Sequence, residues 1–251
     1  MPEHEIKVVG FIPARAASSR FPGKPLADIC GKPMIVRVYE RALESDAIED
    51  VYVATDSEMI MESVIRHGAK CIMTSTDHPS GTDRIAEAAN RIALNSSDIV
   101  VNVQGDQPLF EPRMINEVVN PLLNDASIPM STLIYRIVRD EEIDHPNAVK
   151  TVFDRDGFAL YFSRSTIPYY REGEIQRDYY KHHGVYAYRK DFLDRFVLLP
   201  VGSLEVKERL EQLRALENGY KVKVVITEFD SIEVDTPEDL IRVNNIYAKM
   251  I

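Results

Sequence analysis

Short β-branched runs alternate with longer amphipathic stretches in the first part of the chain, and this alternation restricts the possible folds more than any other feature. Each run precedes a helix-like segment, and the runs lie at residues 7–12, 50–54, 69–74 and 98–103. Continuous apolar runs such as 99–101 suit strands that are covered on both faces. The sequence therefore predicts the α/β class, with a mostly parallel twisted sheet flanked by helices.

The pattern changes near residue 129, where strand-like segments follow one another with little helix between them. These segments lie at 130–137, 148–153, 159–162 and 184–188. They predict an α+β insertion. Because no linker interrupts the 251 residues, we expect a single domain over 1–251, with a core from 1–128 and 204–251 and an insertion over 129–203.

The C-terminal part predicts two helices separated by strands. The first helix is expected over 203–216, with Ser203 as N-cap and Gly219 ending it. Strands are expected near 222–226 and 231–234. The last helix is expected to begin at Thr236.

Charge and cysteine content exclude several classes of protein. The 30 basic and 40 acidic residues give a formal charge of -10, which disfavours binding along nucleic acid. The apolar run at 8–13 is too short to span a bilayer, so we expect no membrane insertion. With no secretory segment, the cysteines, Cys30 and Cys71, are interpreted as reduced residues of a cytoplasmic protein.

A cationic loop follows the first strand, in the position where parallel sheets bind ligands. Residues 13–26 hold Arg15, Ser18 and Lys24 among small residues, which let the backbone approach a polyanion such as a triphosphate. The loop is not a P-loop, because Pro25 stands where Ser or Thr is required. A polar turn with solvated charges is the alternative interpretation.

Two aspartates end later strands of the predicted sheet. Asp106 follows the fourth strand, where it could bind magnesium or simply form a turn before Pro108. Asp235 precedes the last helix, whose start is already explained by Thr236 as N-cap and Pro237 at the first helical position. Asp235 is therefore a candidate second ligand for magnesium.

The chain resembles the CMP-Kdo synthetases, nucleotidyltransferases with the nucleotide-diphospho-sugar-transferase fold; Kdo is 3-deoxy-D-manno-octulosonate. The similar blocks are residues 12–15, 20–26, 31–35, 80–84, 208–214 and 234–239. The resemblance implies that Arg15, Ser18 and Lys24 contact the phosphates of CTP. It assigns Ser80, Gly81 and Gln104 to the nucleotide, and magnesium to Asp106 and Asp235. On the residues alone, Thr82 is expected to cap a helix and His78 to be an exposed loop histidine.

The same resemblance places an acidic sugar against the insertion and the helix that follows. It implies contacts from His182, Glu211 and Gln212, and the residue types of Arg164 and Tyr186 suit the carboxylate and hydroxyls of the same sugar. Cations and hydroxyls suit a sugar acid, although a sheet strand and a solvated helix face would explain the same residues. Adjacent strand residues face opposite ways, so His182 and His183 are not expected to bind one ion together. His183 departs from the family, in which this position is usually apolar.

The implied reaction is attack of the sugar's anomeric hydroxyl on the α-phosphorus of CTP, with release of diphosphate. Arg15, Lys24 and magnesium would position and neutralise the reacting groups. The resemblance also implies a homodimer formed through the inserted strands. Alternatives are an 8-amino-Kdo or sialic acid acceptor, a glycosyltransferase of similar fold, for which Asp-x-Asp is expected, and a non-catalytic nucleotide-binding protein.

Overall fold

The protein is described by a computed structural model, which covers residues 5–15, 21–171 and 177–250. The strands are β1 (Val8–Ala14), β2 (Asp28–Ile29), β3 (Lys32–Pro33), β4 (Asp50–Thr55), β5 (Cys71–Met73), β6 (Ile99–Asn102), β7 (Met130–Arg136), β8 (Lys150–Phe153), β9 (Ala159–Ser163), β10 (Tyr180–Arg189) and β11 (Lys223–Thr227). The helices are α1 (Met34–Ala42), α2 (Glu58–Arg66), α3 (Gly81–Asn90), α4 (Arg113–Asn124), α5 (Lys190–Phe196), α6 (Ser203–Glu208), α7 (Leu213–Glu217) and α8 (Pro237–Tyr247).

Nine strands form one sheet in the described part of the chain, and seven of them follow the order β11-β7-β10-β6-β1-β4-β5. β10 is antiparallel to both of its neighbours in that order, whereas every other neighbouring pair is parallel. β8 and β9 form an antiparallel extension joined to β10. This arrangement confirms the predicted α/β fold. β7 and β10, from the predicted insertion, hydrogen-bond within the main sheet.

Alternate residues of each central strand enter different cores, as a sheet covered on both faces requires. Along β1, Val8 and Ile12 pack with α1, α2 and α4 on one face. Val9 and Phe11 pack with α3, α5 and α7 on the other. The continuous apolar runs in the sequence therefore reflect burial on both sides of the sheet.

Local sequence explains where several helices begin. The hydroxyl of Ser57 accepts a hydrogen bond from the first turn of α2, and Thr236 forms a capping box with Asp239 at α8. The predicted start of the last helix is thus confirmed. Ser80 caps α3, so the prediction that Thr82 is the cap was wrong. None of the described helices is long and apolar enough to cross a membrane.

The helix predicted over 203–216 is instead two short helices, α6 and α7, and Gly202 rather than Ser203 is the N-cap. Between them Arg209 has a left-handed backbone, with φ of 52°. Arg164 contacts the end of α6 at this point, where its Nε donates to the carbonyl oxygen of Glu208 at 2.7 Å. A carbonyl engaged in this way is less available to continue the helix.

The strand predicted near residues 231–234 was also wrong, since no strand is assigned there. Val234 is fully buried, but it packs with Ile29, Met34 and Val243 in a third core cluster. The alternating apolar residues therefore report packing against α8 and the β2–β3 hairpin rather than pairing within the sheet.

Candidate functional site

A cavity of about 500 Å³ opens at the carboxyl ends of β1 and β6, where ligands are expected in a parallel sheet. Its walls combine small, cationic and acidic side chains. The lining residues are Pro13, Ala14, Arg15, Lys24, Pro25, Met34, Ile35, His78, Pro79, Ser80, Gly81, Arg84, Gln104, Gly105, Asp106, Glu211 and Asp235. The sequence-predicted residues Arg15, Lys24, Ser80, Gly81, Gln104, Asp106, Glu211 and Asp235 all contribute to these walls. Ser18 lies outside the described residues.

One ammonium group joins the two predicted metal aspartates. Nζ of Lys24 lies 2.8 Å from Oδ2 of Asp106 and 3.1 Å from Oδ1 of Asp235. Burial acts to lower the pKa of Lys24, but the charges and hydrogen bonds of both aspartates outweigh it and raise that pKa. Lys24 therefore stays protonated between two carboxylates that come from distant parts of the chain.

Close backbone packing sets this geometry. Gly23, with φ of 72°, precedes the short 3₁₀ turn that holds Lys24. A Cβ on Gly105 would lie 3.1 Å from the carbonyl oxygen of Pro13, so the small residue lets the loops after β1 and β6 approach each other. The backbone of Asp235 is held by α8, because its N–H donates to the side chain of Asp239 in the first turn of that helix.

The predicted nucleotide residues lie at the start of α3 and the end of β6. The Ser80 hydroxyl accepts hydrogen bonds from two backbone N–H groups of α3, and Gly81 packs on the ring of Pro13. Nε2 of Gln104 donates to the carbonyl oxygen of Gly184 at 2.7 Å, which fixes the Gln104 side chain against β10. These contacts place small and polar groups along one wall of the cavity. The roles of Ser80, Gly81 and Gln104 in nucleotide binding stay predictions.

Two hydrogen-bonded pairs, each with one residue on the cavity wall, were not predicted from the sequence. His78 is half-buried and hydrogen-bonded to Glu87, so the prediction of an exposed loop histidine was wrong. Buried Arg84 binds Asp56 at 2.6 Å and thereby links α3 to the loop after β4. The two residues of each pair lie on different structural elements, and neither pair matches a short motif. Only the fold brings them together.

The predicted acceptor residues fall into two groups. The ring of His182 lies against Phe162 and Tyr186, and its Nε2 is 2.9 Å from Oγ1 of Thr132. Burial lowers the pKa of His182 to about 3, so its imidazole is neutral at physiological pH. Burial also raises the pKa of Tyr186, with a further contribution from the charge of Glu211. His182 and Tyr186 thus form a polar patch whose tyrosine interacts with the charge of Glu211, but neither of the two residues lines the cavity.

Glu211 carries a carboxyl oxygen that has no hydrogen-bond partner among the described residues. Burial raises the pKa of Glu211, against the lowering effects of Thr82, Ser80 and Arg214. The neighbouring Gln212 is buried, and its Nε2 likewise lacks a partner in the described parts of the chain. Neither Gln212 nor Arg164 lines the cavity, and Arg164 binds backbone carbonyls instead.

His183 faces away from His182, as expected for adjacent strand residues. It is buried beside Asp230, with Nε2 and Oδ1 3.6 Å apart, and Lys181 contacts the same aspartate. Burial and the charge of Lys181 lower the pKa of His183 to about 4, although Asp230 acts in the opposite direction. The departure from the resembled family thus places a neutral histidine within an ion network.

Asp106 and Asp235 are the candidate donors for a metal ion at this site. In residues 5–15, 21–171 and 177–250, no group of three or more His, Cys, Asp or Glu side chains is arranged to hold an ion. Asp106 and Asp235 nevertheless approach a single cationic centre, the ammonium of Lys24. Magnesium commonly binds one or two carboxylates together with substrate phosphates and water. The two aspartates fit that mode, in which the nucleotide completes the coordination.

The sheet is mostly parallel, and a lysine and two aspartates meet in a cavity at the carboxyl ends of its strands. This arrangement is typical of α/β proteins that bind nucleotides. The cytidylyltransferase family profile matches residues 9–226, which is most of the chain. The chain belongs to the cytidylyltransferase family, and it is accordingly an enzyme of nucleotidyl transfer.

Similar proteins carry two related names. The chain is 62% identical over 240 residues to 3-deoxy-manno-octulosonate cytidylyltransferase of Syntrophus aciditrophicus, covering 96% of this chain and 97% of the relative. It is 53% identical over 238 residues to 8-amino-3,8-dideoxy-manno-octulosonate cytidylyltransferase of Shewanella sp. strain ANA-3, covering 94% and 96%. Nearly the whole chain is therefore similar to both.

Solved structures agree with this assignment. A CMP:2-keto-3-deoxy-manno-octonic acid synthetase complexed with CTP superimposes with a TM-score of 0.92 at 42% identity, covering 98% of this chain and all of the other. A 4-diphosphocytidyl-2C-methyl-D-erythritol synthase from Anaerococcus prevotii gives a TM-score of 0.61 at 14% identity, covering 97% and 99%, which indicates a shared fold alone.

Proposed function

We propose that the protein transfers the cytidylyl group of CTP to Kdo, forming CMP-Kdo and diphosphate. The Lys24–Asp106–Asp235 cluster at the cavity mouth is the observation that carries this proposal. It combines a phosphate-binding cation with two hard oxygen donors, as a metal-nucleotide complex requires. Family membership and the similarity to Kdo cytidylyltransferases support the choice of base and acceptor.

The proposed reaction exchanges one phosphorus–oxygen bond for another. The anomeric oxygen of the sugar attacks the α-phosphorus of CTP, the bond to the β-phosphate bridging oxygen breaks, and diphosphate leaves. Arg15 and Lys24 would neutralise the phosphates, while Ser18, Ser80, Gly81 and Gln104 would hold the nucleotide. No covalent enzyme intermediate is required.

Asp106 and Asp235 would hold magnesium. When bound, the ion supplies charge neutralisation at the phosphoryl group, typically worth several kcal/mol. Because Lys24 occupies the space between the aspartates, it would move toward the phosphates as the metal-nucleotide complex enters. The same lysine would then serve as a counter-ion in the free enzyme and as a phosphate ligand in the complex.

The acceptor would lie beyond the α-phosphate, toward His182, Tyr186 and Glu211. Neutral imidazole, phenol and carboxylate groups suit the hydroxyls of a sugar. Arg164 remains the predicted partner of the sugar carboxylate and Gln212 a predicted hydroxyl contact, although reaching the cavity would require both to change their present contacts. The same chemistry with 8-amino-Kdo is a second candidate, favoured by the similarity to the Shewanella enzyme.

The proposal extends to the protein's setting. CMP-Kdo would be the activated sugar for lipopolysaccharide synthesis. Free Cys30 and Cys71 support the proposed cytoplasmic location, because reduced thiols are usual there. A homodimer through the inserted strands is proposed from the resemblance, and sedimentation analysis would test it.

Diphosphate release by the purified enzyme tests the proposed reaction. The assay would contain CTP and magnesium with Kdo, 8-amino-Kdo or sialic acid as acceptor. We expect the fastest release with Kdo and its loss on metal chelation. Release with sialic acid alone, or no release with any acceptor, would contradict the proposal. Preferential use of 8-amino-Kdo would instead select the second candidate.

A further inference from the structure

The segment that carries Asp235 lacks regular structure and depends on individual contacts for its position. Residues 228–236 connect β11 to α8 without a helix or strand. One backbone hydrogen bond joins this segment to the loop after β6, from the N–H of Val234 to the carbonyl oxygen of Asp106 at 2.9 Å. A paired strand would have several such bonds. With one backbone bond, side-chain contacts must also contribute to the distance between Asp106 and Asp235.

A second bond joins the same two segments. Nε2 of Gln107 donates to Oε1 of Glu233 at 3.0 Å. Gln107 is only 1% exposed and directly follows Asp106, whereas Glu233 stands two residues before Asp235. A buried amide that loses its acceptor is costly, so this bond favours one arrangement of the segments. The buried Val234 side chain further limits the movement available between Glu233 and Asp235.

We infer that Gln107 and Glu233 form a positioning pair that sets the separation of Asp106 and Asp235 for metal binding. This inference rests on the proposed function, because it assumes that the two aspartates bind magnesium. Glu233 then acts through its hydrogen-bond acceptor rather than as a metal ligand. Magnesium accepts little deviation from its preferred ligand distances, so a modest displacement of one carboxylate would weaken binding.

The chain offers matched variants that separate hydrogen bonding from charge. Glu233→Gln keeps an acceptor oxygen for Gln107 but removes the charge, whereas Glu233→Ala removes both. Gln107→Met removes the donor and keeps the carboxylate. We expect Glu233→Ala and Gln107→Met each to weaken magnesium binding about fivefold, the effect of one ordinary hydrogen bond. Glu233→Gln should stay within about twofold of wild type.

Two readouts would be measured for each variant. The first is magnesium binding to the free protein by titration calorimetry, and the second is the magnesium concentration that gives half-maximal diphosphate release. We expect both to shift in parallel, with the KM for the acceptor unchanged. The double variant Gln107→Met/Glu233→Ala should bind magnesium no more weakly than either single variant, because one interaction is lost in all three.

Equal weakening in Glu233→Gln and Glu233→Ala, with wild-type binding in Gln107→Met, would overturn the inference and assign a charge role to Glu233. Wild-type binding in all variants would also overturn it. If Gln107→Met does not fold, the inference is tested by comparing magnesium binding in Glu233→Gln and Glu233→Ala. Both of these variants are expected to fold, because Glu233 is solvent-exposed. Wild-type protein that binds no magnesium either alone or with CTP present would instead reject the proposed metal site.

Discussion

Replacing Lys24 by methionine should strengthen magnesium binding to the free enzyme while abolishing most of its activity. The ammonium of Lys24 contacts Asp106 at 2.8 Å and Asp235 at 3.1 Å, so it competes with a divalent cation for the same oxygens. Methionine has similar length but no charge. Removing the competitor therefore frees one oxygen of Asp106 and one of Asp235 from the ammonium group.

The magnitude follows from the exposure of these groups. The side chains of Lys24, Asp106 and Asp235 are 15%, 29% and 33% exposed, so solvent weakens each ion pair below the value for a fully buried one. Taking about 1 kcal/mol for each of the two pairs, magnesium should bind the variant about ten- to thirtyfold more tightly. Loss of the phosphate contact should lower turnover about a hundred- to a thousandfold.

Calorimetric titration of the nucleotide-free proteins with magnesium would measure the first effect, and diphosphate release at saturating metal the second. Lys24→Arg is the matched control, because it keeps the positive charge and should keep the weaker binding. Unchanged or weaker magnesium binding in Lys24→Met would refute the idea that lysine and metal share the two aspartates.

Three further predictions concern the aspartates and the buried network on β10. Asp106→Ala or Asp235→Ala should lower turnover about a thousandfold at saturating magnesium with an unchanged melting temperature, and near-normal activity would remove that residue from the mechanism. His183, with its pKa lowered to about 4, stays neutral in the fold but gains a proton when unfolded below about pH 6.5. Stability should therefore fall by about 2 kcal/mol more in wild type than in His183→Leu between pH 7 and pH 5, and equal losses in urea titrations would contradict this. Lys181→Met should cost about 2 kcal/mol in the same assay, because Glu142 and Asp230 lose one of two shared cations and keep only Arg139; a cost below about 0.5 kcal/mol would mean that Arg139 and water replace the lysine.

The fold was predictable because strands buried on both faces of a sheet are continuous apolar runs in the sequence. Val8 to Ile12 and Ile99 to Val101 are apolar on both sides, and they pair in parallel as their composition indicates. Asp235 could be singled out because the capping box explains the start of α8 without it. These features depend on residues close together in the sequence, where local rules apply.

The features that escaped prediction depend on contacts between distant residues. Nothing near Arg209 signals a left-handed backbone, and the contact of Arg164 with the preceding carbonyl oxygen comes from the loop after β9. The sequence around His78 indicates a solvated loop residue, but α3 brings Glu87 within hydrogen-bond distance of its ring. Glu233 matched no motif of its own, and only the fold brings it to Gln107. Such pairs cannot be identified from spacing along one chain.

Transfer of the labelled α-phosphate of CTP to a sugar acid by the purified enzyme would show whether this cavity catalyses cytidylyl transfer. With magnesium and Kdo, we predict a labelled CMP-sugar and one diphosphate for each Kdo consumed, and neither product with Asp235→Ala. Diphosphate release without a labelled CMP-sugar, or full activity in the Asp235 variant, would contradict the assignment of this cavity to cytidylyl transfer.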